Sequence, residues 1–463
     1  MSSMKPISRR KLITRALEGA ALASVFRFVD RPASGQPLQS AGVNRNSAPS
    51  ELKITDMRAI RIASNYDYPI IRIDTNQGVY GLGEVRDAGN EGMALVLKPH
   101  ILGRNPLQIE PILDRVRNFA NQRRFGGGYS ALDIALHDIA GKVYGVPCWR
   151  LIGSQYRDRV RIYCDTDQTQ DPKLFVDRLV RRKKMGFTFF KMDLGTSLVK
   201  DVPGAVDSRG VATQKGLKLL CEYVAAVKDG IGWDAPLGAD HFGPLDVNDS
   251  IRHCRAFEPY DLAWAEDLLQ VGALGTGDAP RNWRAYQEIK EATITPVNTG
   301  ESLFGLEEGF RPFIENRAVD IIHPDPLTSG AIRETKRIAD YASMFGIPTA
   351  IHFAGSPVGC MASVHMISTI KDFVVMENHA ADIPWWSDLV TGVGKPIIQN
   401  GYIAVPDTPG IGVELNEEVC KQHLRIPGYF EPTTQYDKYI VDEFRTGGPY
   451  PHLDENGKPV NAR

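Results

Sequence analysis

The sequence predicts an α/β fold in which a closed barrel of alternating strands and helices follows a small α+β domain. Eight short apolar runs alternate with helix-like segments after residue 158, a pattern typical of a parallel sheet closed into a barrel. The segment before them has turn-linked strands followed by helices. Finally, Asp240, Glu266 and Glu301 each end an apolar run, 26 and 35 residues apart. Those intervals are about the length of one strand-plus-helix unit.

The small domain is predicted to span residues 51–155. Residues 56–64 and 69–85 have the composition of strands, the second broken by a turn at Asn76–Gly78. Helical stretches are expected near 94–101 and over 130–144, where apolar residues recur at helical spacing.

The barrel is predicted to span residues 156–394, and residues 395–463 are expected to return to the small domain. The sequence between Leu194 and Gly210 is interpreted as an inserted loop, and 331–345 as one of the connecting helices. An open doubly wound sheet is the structural alternative, but the phosphate-binding glycine pattern after its first strand is absent. The eight predicted barrel strands are 160–164, 187–193, 235–240, 261–266, 293–301, 319–325, 348–352 and 373–377.

Residues 1–50 are interpreted as an export signal and a linker. Arg9 and Arg10 precede a short apolar stretch, which resembles a twin-arginine signal for export of folded proteins. This interpretation predicts a periplasmic protein. The alternative is a basic amphipathic tail on a cytoplasmic protein.

Composition excludes several classes of partner. The formal net charge is −2, with 43% hydrophobic and 24% charged residues, so no basic surface for nucleic acid is expected. No run of eighteen apolar residues is present, so the chain is not predicted to be an integral membrane protein.

The three strand-end acids predict a metal site. The carboxyl ends of parallel barrel strands meet at one rim, so these side chains are expected to converge there. Converging carboxylates repel one another unless a hard cation neutralises them, and Mg²⁺ prefers oxygen ligands. A single acid in such a position is more often a helix cap than a ligand, but three consecutive acids favour the metal.

A histidine and an aspartate end two neighbouring strands. His352 follows the seventh predicted strand and Asp325 the sixth. An aspartate that accepts a hydrogen bond from one imidazole nitrogen fixes the tautomer and increases the basicity of the other nitrogen. We interpret the pair as a general base with its orienting acid. The alternative is a structural histidine.

Taken together, these motifs resemble those of the enolase superfamily, in its mandelate racemase/muconate lactonizing enzyme branch. The resemblance covers residues 52 to about 430, with the stretch YSALDIALHDIAGKVYGVPCWRLIG and the strand-end series Lys-Met-Asp, Asp, Glu, Glu, Asp, His, Glu. It implies a modified TIM barrel, (β/α)7β, with an α+β N-terminal capping domain. It also implies one Mg²⁺ per subunit on the three acids, and a homo-oligomer. The metal would bind the substrate carboxylate and stabilise the ene-diolate left by removal of the α-proton.

The same resemblance suggests which reaction follows. Racemases of this branch usually carry Lys-x-Lys on the second strand, whereas this chain has Lys191 and Asp193. A second base is therefore missing, and a one-base dehydratase is favoured over a racemase. Lys191 is expected to neutralise the substrate carboxylate and Asp193 to position a hydroxyl group or Lys191, unless it forms only a structural salt bridge. Glu377 is expected to donate a hydrogen bond to the substrate carboxylate, and the alternative is an ordinary rim carboxylate.

The departing hydroxyl group requires a general acid, for which His241 is a candidate. Related dehydratases place a histidine two residues after the third-strand ligand, whereas His241 comes one residue after Asp240. His241 is therefore either the catalytic acid or a residue that supports the metal ligand. Protonated His352 is the alternative acid.

Two polar segments of the small domain are expected to close over the rim and bind substrate through Tyr66, Asp67 and Asn90. Their polarity favours a polyhydroxylated acid. We therefore expect a Mg²⁺-dependent sugar-acid dehydratase that forms a 2-keto-3-deoxy acid. The alternatives are a racemase, epimerase or cycloisomerase with the same intermediate, and a non-catalytic periplasmic sugar-acid binding protein.

Overall fold

The computed structural model describes residues 51–438, except for residues 88, 120–126, 243 and 270–281, and two short strands, His452–Leu453 and Pro459–Val460. The predicted export signal and linker lie outside the described residues. Among the helices that are described, none combines the length and apolar composition that crossing a bilayer requires.

The small domain begins with an antiparallel sheet of three strands, β1 (Ile54–Ile62), β2 (Tyr68–Thr75) and β3 (Tyr80–Glu84), in that spatial order. The predicted turn between β2 and β3 is confirmed: Gly78 has a φ of 78° and donates a hydrogen bond to the Thr75 carbonyl. Five helices follow: α1 (Gly92–Leu95), α2 (Lys98–Ile101), α3 (Ile109–Arg117), α4 (Gly127–Tyr144) and α5 (Trp149–Ile152).

The helix predicted near 94–101 is two short helices. A proline in the first turn of α2 explains the break, because proline suits the start of a helix but cannot donate a backbone hydrogen bond inside one. The helix predicted over 130–144 is confirmed as the greater part of α4.

The sheet packs unusually closely on α4, and two glycines of β3 make this possible. A Cβ added at Gly81 would lie 2.0 Å from the Ala135 carbonyl oxygen, and one at Gly83 would lie 2.0 Å from that of Ala131. Both distances are far inside van der Waals contact, so neither position accepts a larger side chain without separation of the strand from the helix.

Eight parallel strands form the barrel, and helices connect them in sequence. The strands are β4 (Arg159–Cys164), β5 (Phe190–Asp193), β6 (Leu237–Asp240), β7 (Trp264–Glu266), β8 (Val297–Thr299), β9 (Ile321–Ile322), β10 (Thr349–Ile351) and β11 (Phe373–Asn378). The connecting helices are α6 (Pro172–Lys184), α7 (Gln214–Ile231), α8 (Val247–Phe257), α9 (Trp283–Glu291), α10 (Arg311–Glu315), α11 (Pro326–Ser329), α12 (Ala331–Met344) and α13 (Pro357–Ser368). Each strand lies within or overlaps its predicted segment.

The strand order is β4-β11-β10-β9-β8-β7-β6-β5, so each strand from β5 to β11 lies beside its neighbour in sequence. At the ends of this series, the Arg161 guanidinium donates from β4 to the carbonyl and hydroxyl oxygens of Thr188, just before β5. The predicted modified TIM barrel is confirmed. Its interior is filled below the rim by a buried cluster of Tyr163, Phe189, Trp264, Ile321, Ala350 and Val375.

The chain after the barrel returns to both domains. Strand β12 (Val390–Thr391) pairs with β14 (Glu414–Leu415), and β13 (Tyr402–Ala404) runs antiparallel to β4. After α14 (Glu417–Gln422), the His423 carbonyl accepts a hydrogen bond from the Ala63 amide, and the Arg425 amide donates to the Arg61 carbonyl. The domain boundaries drawn from the sequence stay a prediction.

Glu84, the last residue of β3, binds the small domain to the barrel through hydrogen bonds. The Glu84 carboxylate, which is fully buried, accepts hydrogen bonds from the Ser356 amide at 2.7 Å, the Ser356 hydroxyl at 2.6 Å and the Gly359 amide at 2.8 Å. These donors lie at the N-terminus of α13, where a negative charge is favourable. The contact fixes the segment that follows β10.

The close packing of β3 on α4 is tested by Gly83→Ala. We expect the variant to lose about 1–3 kcal/mol of unfolding free energy because the added methyl group overlaps a helix carbonyl. Gly394→Ala is the matched control, since its added Cβ would meet only the Gln399 side chain, at 3.6 Å. Urea unfolding measures both, and equal stability of the two variants would contradict the packing argument.

Candidate active site

The ionisable side chains predicted for the site lie at or just beyond the carboxyl ends of the barrel strands. They are Lys191 and Asp193 on β5, Asp240 ending β6, Glu266 ending β7, Glu301 after β8, Asp325 after β9, His352 after β10 and Glu377 on β11. Side chains that alternate along parallel strands reach the same rim in this way, although they are far apart in sequence.

The three acids predicted to bind metal are buried, with exposed fractions of 3% for Asp240, 0% for Glu266 and 8% for Glu301. A fourth acid, Asp267, lies beside them and was missed in the sequence. Burial and then the charges of Glu301, Asp240 and Glu266 raise the pKa of Asp267 to about 8. The rim therefore carries a concentrated negative potential, which a cation would relieve.

Glu266 is held by two interior side chains. Its Oε2 accepts a hydrogen bond from the indole Nε1 of Trp264 at 2.8 Å, and its Oε1 lies 2.8 Å from Nδ1 of His323. His323 lies two residues before Asp325 along the chain. The structure shows that it orients a strand-end acid.

Lys191 joins the three-acid group to Glu377. Its Nζ is 3.0 Å from Oδ2 of Asp240, 3.8 Å from Oε1 of Glu266 and 2.8 Å from Oε1 of Glu377. Burial alone would raise the pKa of Glu377, but Lys191, His352 and His379 hold it well below its usual range. The predicted role of Glu377 as a hydrogen-bond donor to the substrate carboxylate stays a prediction.

His352 and Asp325 form the pair expected from their neighbouring strands. His352 Nδ1 is 2.6 Å from Oδ2 of Asp325, and its Nε2 is 3.2 Å from Oε2 of Glu301 and 3.6 Å from Oε2 of Glu377. The other oxygen of Asp325 accepts from the Thr328 amide and begins α11. One imidazole nitrogen is therefore fixed, and the other faces the carboxylates at the rim.

Arg86, two residues after β3, reaches from the small domain into this site. It is 1% exposed and donates through Nη1 to the Glu301 carbonyl and the Thr328 hydroxyl. Its Nη2 lies 3.4 Å from Oε1 of Glu301, and its Nη1 lies 3.9 Å from Oδ2 of Asp325. Arg86 thus supports two rim acids, Glu301 and Asp325.

Asp193 pairs with His241 and not with Lys191, which corrects one of the alternatives considered for it. His241 has a φ of 54°, so the chain turns after Asp240 and brings the ring back over the rim. Its Nδ1 is 3.1 Å from Oδ1 of Asp193 and 3.2 Å from Oδ2 of Asp240. His241 is thus bound to a predicted metal ligand, and 69% of its side chain is exposed.

A further histidine, His379, lies at the rim and was missed in the sequence. His379 Nε2 is 3.2 Å from Oε1 of Glu377, and its Nδ1 is 3.3 Å from Oδ2 of Asp165, just after β4. Alternation along β11 could have identified it, since His379 is two residues after Glu377 and therefore on the same face.

The structure separates the three residues predicted to bind substrate. The Tyr66 ring meets the His379 ring edge-on at a centroid distance of 5.4 Å. The Asp67 carboxylate instead pairs with Arg425 at 2.8 Å, and Asn90 is exposed beside Gly92. The contact with His379 supports the predicted position of Tyr66 at the rim. The described contacts of Asp67 and Asn90 do not support theirs.

The donor set fits a hard divalent cation. Three buried carboxylates supply oxygen atoms, and burial together with the charges of Glu301, Asp240 and Glu266 raises the pKa of the neighbouring Asp267. Mg²⁺ is commonly bound through carboxylates and retains water ligands. Asp240, Glu266 and Glu301 are therefore the residues that could hold it.

Comparison with known proteins gives two family matches. The family described as "Enolase C-terminal domain-like" matches residues 175–419, and the "Mandelate racemase / muconate lactonizing enzyme, N-terminal domain" matches residues 42–153. A D-xylonate dehydratase of Haloferax volcanii is 32% identical over 386 residues, covering 81% of this chain and 89% of that protein. A D-galactonate dehydratase family member of Musicola paradisiaca is 28% identical over 426 residues, covering 81% and 94%.

Solved structures agree with these matches. A mandelate racemase/muconate lactonizing enzyme-like protein from Rubrobacter xylanophilus superposes with a TM-score of 0.74 at 29% identity, covering 82% of this chain and 99% of that one. An enolase from Pantoea ananatis with bound D-gluconate and Mg shares the fold, with a TM-score of 0.69 at 24% identity and coverage of 82% and 96%.

The metal assignment is tested by Glu266→Gln. We expect the variant to lose Mg²⁺ binding in calorimetry, because it removes one of the charges that attract the cation and one of its oxygen ligands. Glu222→Gln, on the exposed surface of α7, is the control and should bind as the unmutated protein does. Unchanged affinity in Glu266→Gln would contradict the three-carboxylate site.

Proposed function

Because this chain belongs to the mandelate racemase/muconate lactonizing enzyme family of the enolase superfamily, we propose that it is a Mg²⁺-dependent sugar-acid dehydratase. One observation carries the choice of reaction. The rim holds a buried imidazole oriented by a carboxylate, His352 with Asp325, while β5 carries Asp193 where a second lysine base would be needed. A single base suits elimination better than racemisation, which needs a proton donor on the opposite face.

The proposed reaction starts from a 2,3-dihydroxy acid whose carboxylate lies beside Lys191. The Lys191 ammonium is buried and keeps its charge, because burial alone would lower its pKa but the surrounding acids raise it well above its usual value. The Nε2 of His352, which is the nitrogen that Asp325 does not contact, removes the proton at C2, and Asp325 stabilises the imidazolium that results. Arg86 holds Asp325 and Glu301 in place from the small domain.

Mg²⁺ bound by Asp240, Glu266 and Glu301 would supply positive charge that stabilises the carboxylate as it gains a second negative charge. The protein must then assist departure of the hydroxyl group at C3. Loss of that group as water forms an enol, which rearranges to a 2-keto-3-deoxy acid.

A sugar acid is the substrate class that the relatives support. The two relatives described above are named for D-xylonate and D-galactonate dehydration, and the solved neighbour that holds D-gluconate and Mg shares this fold. Tyr66 and the polar rim side chains suit a chain of hydroxyl groups. The particular acid is the first point for experiment.

The test is a screen of the purified protein with Mg²⁺ against aldonic, uronic and aldaric acids, beginning with D-xylonate, D-galactonate and D-gluconate. Semicarbazide detects the keto acid. We expect one or more acids to be dehydrated, and His352→Asn to lower turnover by roughly 10²–10⁴-fold because it removes the base. Exchange of the C2 proton in deuterated water should fall in the same variant.

Two other results would favour the other candidates. Proton exchange without a keto acid would indicate an isomerase with the same intermediate. Binding of an acid with neither exchange nor turnover would indicate a sugar-acid binding protein.

We propose that the protein acts in the periplasm, supported by Arg9 and Arg10 before an apolar stretch. The double variant Arg9→Lys, Arg10→Lys should keep the protein in the cytoplasm of a bacterium with a twin-arginine pathway, since that pathway reads the arginine pair. Cell fractionation with immunoblotting measures this. Equal periplasmic amounts for the variant and the unmutated protein would contradict it.

A further inference from the structure

We propose that His379, oriented by Asp165, is the general acid that protonates the hydroxyl group leaving from C3. The inference rests on the proposed function, since it assigns a step of that dehydration. It names a residue other than His241, the candidate that the sequence suggested, and it adds Asp165 as a positioning residue.

Backbone geometry brings His379 and Asp165 together. Strands β11 and β4 pair in parallel with Asn378 opposite Cys164, and the Asp165 amide donates to the Asn378 carbonyl at 3.0 Å. The residues that follow this pair are therefore neighbours, and Asp165 Oδ2 lies 3.3 Å from Nδ1 of His379. As with Asp325 and His352, a carboxylate orients one ring nitrogen and leaves the other towards the rim.

That other nitrogen faces the site of proton removal. One ring nitrogen of His379, one of His352 and an oxygen of Glu377 all lie within 4.8 Å of one another. Two nitrogens this close can act from one face of the substrate on the C2 proton and on the oxygen at C3, because these are adjacent parts of one molecule. His352 follows β10 and His379 follows the neighbouring strand β11. Both rings lie beside the carboxylate of Glu377.

The surroundings favour a charged, proton-donating ring. Burial would lower the pKa of His379, but Glu377 and Asp165 outweigh it and raise the pKa to about 10. The side chain keeps 12% of its surface exposed, while Nε2 itself is buried against Oε1 of Glu377 at 3.2 Å. On the side of the small domain, Tyr66 packs edge-on against the ring, and the Asn65 amide donates to the His379 carbonyl.

A second metal on the same three groups is less consistent with the structure. The Lys191 ammonium lies 2.8 Å from Oε1 of Glu377, and its charge would repel a cation there. His241 is also less suited to the acid role, because its ring contacts the predicted metal ligand Asp240 and is 69% exposed, whereas the centroid of the His379 ring lies 6.0 Å from that of the base, His352. A ring held on a predicted metal ligand supports that ligand.

The step balances without a further reagent. After His352 has taken the C2 proton, the electron pair held in the ene-diolate forms the C2–C3 double bond. The C3–O bond breaks and its electron pair stays on oxygen, which takes the proton from Nε2 of His379 and leaves as water. His379 is left neutral beside Asp165 and is protonated again after the product has left and water has entered the site.

The experiment compares two leaving groups in His379→Asn. D-Xylonate loses hydroxide, which needs a proton, whereas 3-deoxy-3-fluoro-D-xylonate loses fluoride, which leaves without one. We expect the variant to dehydrate D-xylonate about 10²-fold more slowly or worse while it still releases fluoride and still exchanges the C2 proton in deuterated water. Asp165→Asn should shift the ratio of fluoride to water release in the same direction, though less.

His241→Asn is the competing variant, and it should change both eliminations in proportion, so that their ratio stays constant. A ratio that rises in His241→Asn and stays constant in His379→Asn would overturn the proposal, as would unchanged D-xylonate turnover in His379→Asn. Retained proton exchange shows that the variant is folded; if it is lost, His379→Gln is tested by the same ratio. If D-galactonate or D-gluconate is the acid dehydrated, the same pair is made from it. An unmutated protein that dehydrates no acid would overturn the proposed function itself.

Discussion

The structure of the barrel rim depends on the balance of buried charge. Carboxylates removed from water are stable only when they are paired, hydrogen-bonded or bound to a cation. Here one group of acids, around Glu266, is compensated in part by Lys191 and His323. Burial, and then the charges of Glu301, Asp240 and Glu266, raise the pKa of Asp267. The charged network and the proposed cation site thus follow from one electrostatic constraint.

Lys191 divides this network into two halves with different chemistry. On the side of Asp240 and Glu266, carboxylate oxygens predominate, and a metal ion would balance their negative charge. On the other side, Glu377 lies among Lys191, His352 and His379, so protons and fixed cations supply the balance. Proton transfer is proposed on this second side, next to the proposed metal site but through different atoms.

The small domain takes part in the site through β3 and the residues after it. Glu84 binds the start of the helix that follows β10, and Arg86 binds the segments after β8 and β9. The strand itself is fixed on α4 by two glycines that leave no room for a side chain. The packing of β3 on α4 in the small domain therefore positions Glu84 and Arg86 against the barrel segments that follow β8, β9 and β10. The contacts of Glu84 and Arg86 join positions more than 200 residues apart and have no signal in local sequence.

The sequence by itself determined the barrel and the strand-end positions, because both follow from local periodicity and from the rule that parallel strands share a rim. It likewise indicated the pairing of His352 with Asp325, since their strands are neighbours. Tertiary structure alone decided which partners the other side chains take. His241 turns back because of a left-handed backbone conformation, and Asp67 pairs with Arg425 because the C-terminal segment returns to β1. His379 meets Asp165 because the last strand of the barrel lies beside the first. Such contacts depend on closure of the sheet and on long-range packing, which sequence spacing does not encode.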